Sequence, residues 1–209
     1  MSNTAEEVAA CLLQIKAIRL NAEHPFTWAS GWKSPIYCDN RKALSYPAAR
    51  TLVRDRLVEL VREKFPGAEL IAGVATGAIA QGALVAQELE LPFAYVRSSA
   101  KGHGLENLIE GEYREGQRVV VVEDLISTGG SSLQAVEALR GVGCEVTGMV
   151  AVFTYGFQKA IDNFARACCP LETLSNYQAM IALAARSGYV RPGEIERLEE
   201  WRISPETYK

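Results

Sequence analysis

Apolar positions change their rhythm about a third of the way along the chain, and that change predicts most of the secondary structure. Thr4-Ala-Glu-Glu7 has the spacing of a capping box. It opens an amphipathic helix expected to run to about Arg19, with Val8, Leu12, Ile15 and Ile18 on one face. Residues 24–41 are rich in aromatics and punctuated by Gly and Pro, a pattern that suits a short hairpin better than a helix. Ser45 and Pro47 then open a second helix reaching about Phe65.

Beyond that point apolar runs alternate with helical stretches. The runs are Leu70 to Ala75, Phe93 to Arg97, Val119 to Val122, Glu145 to Phe153 and a shorter one from Pro170 to Leu174. Between them lie a small-residue helix ending near Glu90, a helix from about Ser131 to Leu139, and another ending near Ala167. Runs that are continuous rather than alternating belong to strands covered on both faces. Alternation of strand and helix predicts an α/β fold: a doubly wound, mainly parallel sheet with helices on both faces. The tail from Asn176 holds two more helices, one opening at Pro192. The expected organisation is a single domain of residues 1–209. Residues 46–175 form the α/β core, residues 1–45 a cap, and residues 176–209 helices that pack with the cap.

Composition narrows the classes of function. Hydrophobic residues make up 48% and charged residues 22%, as in ordinary globular proteins, and the formal net charge is −3. No global basic field is present to recruit nucleic acid, so any anion must be held by a local set of donors. Cys11, Cys38, Cys144, Cys168 and Cys169 include no CxxC pair, which fits small buried residues in a reducing compartment. The N-terminus lacks a basic stretch leading into an apolar one, and no apolar stretch has the length of a bilayer span. The expectation is a cytoplasmic protein without a membrane partner.

In such sheets ligands bind at the carboxyl ends of the strands, which directs attention to the turns there. After the valines at 119–122, Glu123 and Asp124 lie side by side. Two adjacent carboxylates at a ligand-facing edge are costly unless they accept hydrogen bonds, and a ribose diol supplies two donors. Ile126-Ser-Thr-Gly-Gly-Ser131 then turns into a helix, with glycines that let amides converge and a helix N-terminus that favours anions. Acids beside a phosphate-binding turn describe a site for a ribose 5-phosphate. The bland alternative is an ordinary strand–helix corner. No GxxxxGK[ST] occurs, and no GxGxxG follows a strand. Residues 97–111 make a connection much longer than usual, with Arg97, Lys101 and His103 among its glycines, as expected of a binding loop for a leaving diphosphate. Ala72-Gly-Val-Ala-Thr-Gly-Ala78 is a further strand–helix turn on the same edge.

These motifs resemble the type I phosphoribosyltransferases, and residues 26–37 and 97–104 are similar to segments of the orotate phosphoribosyltransferases. The resemblance implies transfer of ribose 5-phosphate from phosphoribosyl diphosphate to N1 of orotate, in the synthesis of UMP. Glu123, Asp124, Leu125, Ile126, Ser127, Thr128, Gly129, Gly130 and Ser131 would hold the ribose 5-phosphate. Arg97, Lys101 and His103 would meet the diphosphate, with Thr76 and Gly77 as further candidates. Lys101, His103 and Asp124 would be catalytic. Ser127 would touch orotate, and Lys33, Tyr37, Arg41 and Tyr155 are the other candidates for that contact. It also implies magnesium carried on substrate oxygens and a homodimer whose cationic loop reaches the neighbouring site. The chain departs from the better-known bacterial pattern at Ala29, Ser98, Thr76 and Tyr155. A transferase for another base, or a regulator on the same fold, are the alternatives.

Overall fold

The computed structural model of the chain describes residues 4–28, 31–98 and 108–208. The first part contains α1 (Thr4–Gln14), β1 (Ile18–Leu20), β2 (Phe26–Thr27), β3 (Lys33–Ser34), β4 (Ile36–Cys38) and a 3-10 turn over Asn40–Ser45. Next come α2 (Pro47–Lys64), β5 (Leu70–Val74), α3 (Ile79–Leu89), β6 (Phe93–Val96) and β7 (Ile109–Glu110). The chain continues with β8 (Arg118–Ile126), α4 (Gly130–Gly141), β9 (Glu145–Thr154), α5 (Gln158–Arg166), β10 (Leu171–Asn176), α6 (Tyr177–Arg186) and α7 (Pro192–Ile203).

Six strands form the main sheet in the order β10-β9-β8-β5-β6-β7. All neighbours are parallel except β6 and β7, which pair antiparallel. The run Val119–Val122 is unbroken because the pleat sends its side chains alternately into two cores. Val120 and Val122 pack with Leu12, Leu57, Ile71 and Trp201 on one face. Val119 and Val121 pack with Leu70, Val136 and Leu139 on the other. Each of the four valines is fully buried. Helices α1, α2, α3, α6 and α7 therefore cover one face, and α4 and α5 the other.

Three boundaries differ from the expectations. The first helix stops at Gln14 instead of about Arg19, because Lys16 adopts a left-handed φ of 55°. The amides of Lys16 and Ala17 donate back to the carbonyls of Leu13 and Leu12 at 3.0 and 2.9 Å, a Schellman ending with lysine at the position glycine usually takes. Ile18 thereby falls in a strand, paired with Cys38 across β1 and β4. The strand carrying the two acids runs on to Ile126 instead of ending with the valines, so Glu123 and Asp124 lie in its carboxyl-terminal part, as expected. The connection from Arg97 contains β7, whose Glu110 and Ile109 pair with Tyr95 and Val96.

The expected hairpin in residues 24–41 is present, with Phe26 opposite Ser34 and Thr27 opposite Lys33. Aromatic packing joins it to the C-terminal helices: Trp28 meets Trp201 edge-on at 5.6 Å, and Tyr177 Oη donates to the Leu198 carbonyl at 2.8 Å. Ser175 Oγ donates to the Ala5 carbonyl at 2.7 Å, and Arg191 pairs with Glu23. Among the described residues no helix is long and apolar enough to cross a membrane.

Candidate active site

At the carboxyl end of β8 the chemistry is set by two adjacent acids facing different surroundings. Glu123 is 5% exposed. Its Oε1 accepts the Asp124 backbone N–H at 2.9 Å, and its Oε2 accepts the Ser132 hydroxyl at 2.8 Å. Burial, reinforced by the Asp124 charge, pushes its pKa up to about 8. Asp124 is partly exposed, and burial raises its pKa as well, with a hydrogen bond from Glu123 and the Arg41 charge pulling the other way. Both shifts run the same way, so the pair holds a proton more readily than two free carboxyl groups would.

Asp124 is fixed from two distant directions. Asn40, 4% exposed, donates from Nδ2 to the Asp124 carbonyl at 2.6 Å, which ties the 3-10 turn to β8. Gly77 lies so close that a Cβ there would overlap the Asp124 carboxyl. The turn after β5, which includes a cis Ala75–Thr76 peptide, therefore sits against the acids.

The phosphate-turn residues form the corner between β8 and α4. Gly129 takes a left-handed φ of 79°, and a Cβ at this position would meet Phe164 at 2.7 Å. Only glycine combines that φ with that approach of the α5 side chain. Asn163 Nδ2 donates to the Thr128 carbonyl at 2.9 Å, and Thr154 Oγ1 reaches the Ile126 carbonyl at 3.4 Å. The backbone amides of Thr128, Gly129, Gly130 and Ser131 donate to no acceptor among the described residues. Donors left open at a helix N-terminus make an anion site. Ser127 and Thr128 are partly exposed, Gly130 and Ser131 exposed, whereas Leu125 and Ile126 point into the packing of the sheet.

The other sequence-predicted residues fall into separate groups. Arg97 stands at the end of β6, paired with Glu110 at 3.4 Å. Lys101 and His103 lie outside the described residues. Gly77 lies against Asp124, and Thr76 precedes it in the same turn, exposed. Arg41 is held by Asp39 at 2.7 Å, an interaction that raises its pKa, and it is close enough to Asp124 to feel its charge. Lys33 Nζ donates to Thr27 Oγ1 at 2.8 Å. Tyr37 lies under the Arg19 guanidinium at 4.9 Å. Tyr155 is 2% exposed in a cluster with Trp28, Phe157 and Trp201. Burial, followed by the Cys38 and Asp124 charges, raises its phenol well above the ordinary value.

Asn40, Ser132, Trp32 and Arg202, none of them named as a site residue from sequence, complete the surroundings, although Trp32 lies in the family-like segment 26–37. Only Ser132 was within reach of local pattern, sitting in the turn itself. A cavity of about 270 Å³ lies beside Thr128, with Trp32, Phe157 and Arg202 in its wall.

Comparison with known proteins agrees with this geometry. Residues 43–169 match the phosphoribosyl transferase domain family. The orotate phosphoribosyltransferase of Porphyromonas gingivalis is 58% identical over 208 residues, covering 100% of this chain and 99% of the relative. The solved orotate phosphoribosyltransferase of Aeropyrum pernix superposes with a TM-score of 0.76 at 29% identity, over 88% of this chain and 99% of the other. Leishmania donovani UMP synthase gives a TM-score of 0.80 at 28% identity, over 95% of this chain and 42% of that longer one. With the acids, the open amides and full-length similarity in agreement, the chain belongs to the orotate phosphoribosyltransferase family.

Proposed function

We propose that the chain transfers ribose 5-phosphate from phosphoribosyl diphosphate to N1 of orotate, giving orotidine 5'-phosphate and diphosphate. The observation that carries this reading is the pairing of buried Glu123 with partly exposed Asp124 beside four open amides at residues 128–131. A sugar phosphate matches both halves: its hydroxyls serve the acids and its phosphate the amides and hydroxyls of the turn. Orotate N1 attacks C1 of the ribose from the face opposite the departing diphosphate, with inversion. Positive charge develops on the ring as the bond to diphosphate lengthens, and the ionised member of the acid pair favours that charge. Glu123 and Asp124 hold the ribose, and residues 127–131 hold the 5-phosphate. Arg97, Lys101 and His103 meet the negative charge on the diphosphate, so the protein's part is mostly positioning and electrostatics.

Among the described residues no group of three or more His, Cys, Asp or Glu side chains could hold a metal ion. Magnesium suits this site if it is carried on diphosphate and ribose oxygens, as its preference for water and substrate oxygens allows. Asp124 is the carboxylate open to it, whereas Glu123 is buried and protonated near neutrality. When bound, the ion would neutralise the leaving diphosphate. The working form is a homodimer in the cytoplasm, with the loop around Lys101 reaching the partner's site, a reading supported by family resemblance.

Orotate, uracil and hypoxanthine offered separately with phosphoribosyl diphosphate and magnesium test the assignment. Loss of orotate absorbance with neither other base consumed is expected. Turnover of another base without orotate would overturn it.

A further inference from the structure

The cavity beside Thr128 is a separate feature from the acid pair, and its wall holds a cation whose hydrogen bonding is incomplete. We propose that Arg202, on the last helix, is the specificity-determining residue that receives the carboxylate of the acceptor base. The ring of that base would occupy the cavity bounded by Trp32, Thr128 and Phe157. This rests on the reading of orotate as acceptor.

Arg202 is held in place without being satisfied. Its side chain is 25% exposed, and its Nε is buried with no hydrogen-bond partner among the described residues. Glu199 Oε2 is 3.6 Å from that nitrogen, beyond hydrogen-bond length, and Nη1 reaches the Gly156 carbonyl only at 3.4 Å. A guanidinium presents five N–H donors in a planar fork that matches a carboxylate. Leaving such a donor buried and unpaired is costly, and an incoming carboxylate removes that cost.

The competing cations are committed elsewhere. Lys33 bonds Thr27 and Arg41 is held by Asp39 at 2.7 Å, whereas Lys159, also in the cavity wall, faces Glu206 at 3.8 Å and lacks the planar fork of a guanidinium. Size and lining also suit a flat ring. The cavity is about 270 Å³, with aromatic surface from Trp32 and Phe157 and one edge formed by Thr128, the residue after Ser127. A base bound there lies against the turn assigned to the ribose 5-phosphate. Glu199 pairs with Arg202 only at 3.6 Å, longer than a hydrogen bond, and Glu206 faces Lys159.

The test compares orotate with its neutral carboxamide as ligands of the acceptor site, in wild-type protein, Arg202→Gln and Arg202→Lys. Phosphoribosyl diphosphate binding is measured alongside. Arg202→Gln should lower kcat/KM for orotate about 10- to 100-fold, mainly through KM, the loss expected for one charge-assisted interaction. Discrimination between orotate and the carboxamide should collapse, and Arg202→Lys should restore part of it. Phosphoribosyl diphosphate affinity should stay within about 3-fold of wild type, inside the scatter expected for an untouched contact. If Arg202→Gln does not fold, reduced discrimination in Arg202→Lys carries the same comparison. Wild-type-like discrimination in a folded variant overturns the proposal, as does an equal loss of phosphoribosyl diphosphate binding. Wild-type protein that does not use orotate at all would instead overturn the acceptor assignment.

Discussion

Glu123→Gln offers a quantitative check on the buried acid pair. In the folded protein Glu123 titrates at about 8, against an ordinary value of 4.5, because burial and the Asp124 charge disfavour its ionised form. The folded chain therefore keeps a proton that the unfolded chain releases between these two values. Stability must fall as pH rises through that window, with the full cost present above it. A displacement of that size corresponds to about 3–5 kcal/mol when Glu123 is forced to ionise. For a chain of this length that is roughly 6–20 °C in melting temperature. Glutamine imitates the protonated acid: its carbonyl can accept the Asp124 N–H, and the Ser132 hydroxyl can rotate to accept from the new amide. Thermal unfolding of ligand-free protein at pH 5, 7 and 9 reads the effect. The variant should be close to wild type near pH 5, gain in relative stability up to about pH 8, and keep that advantage at pH 9. A difference that is flat with pH, or that favours wild type at pH 9, would refute the reasoning.

Other substitutions probe the same site by different routes. Gly77→Ala inserts a methyl into the Asp124 carboxyl and should lower kcat/KM for phosphoribosyl diphosphate at least about 10-fold in steady-state assays. Asn40→Ala removes the partner of the Asp124 carbonyl and should cost about 1–3 kcal/mol in denaturant unfolding, together with reduced kcat. Gly129→Ala combines a left-handed φ with a 2.7 Å approach to Phe164. It should weaken phosphoribosyl diphosphate binding, read by calorimetry, at a strain of about 1–3 kcal/mol.

Where sequence reasoning succeeded, the signal was local and repeated. The valines at 119–122 read as a central strand because both faces of the sheet are covered, and the acids and Ser/Thr/Gly turn follow directly in the chain. Its failures share a different origin. The end of α1 depends on Lys16 adopting a left-handed conformation, which nothing in its neighbours announces. Strand β7 is two residues long and sits in a glycine-rich connection, too short for periodicity to register. Asn40 reaches Asp124 across a separation of 84 residues, and Arg202 reaches Gly156 across 46. Contacts of that kind are made by packing the first segment and the last helix over the sheet edge, so no window of sequence contains them.

The central claim is that the end of β8 grips a ribose 5-phosphate and that Asp124 assists the displacement at its C1. Orotate consumption by wild-type protein and by Asp124→Asn, with phosphoribosyl diphosphate affinity measured for both, tests it most directly. Wild type should consume orotate only when phosphoribosyl diphosphate and magnesium are supplied. Asp124→Asn should lose about 100-fold or more in kcat, as expected for removal of a transition-state charge, while its affinity for phosphoribosyl diphosphate changes far less. Near-wild-type kcat in Asp124→Asn would contradict the account.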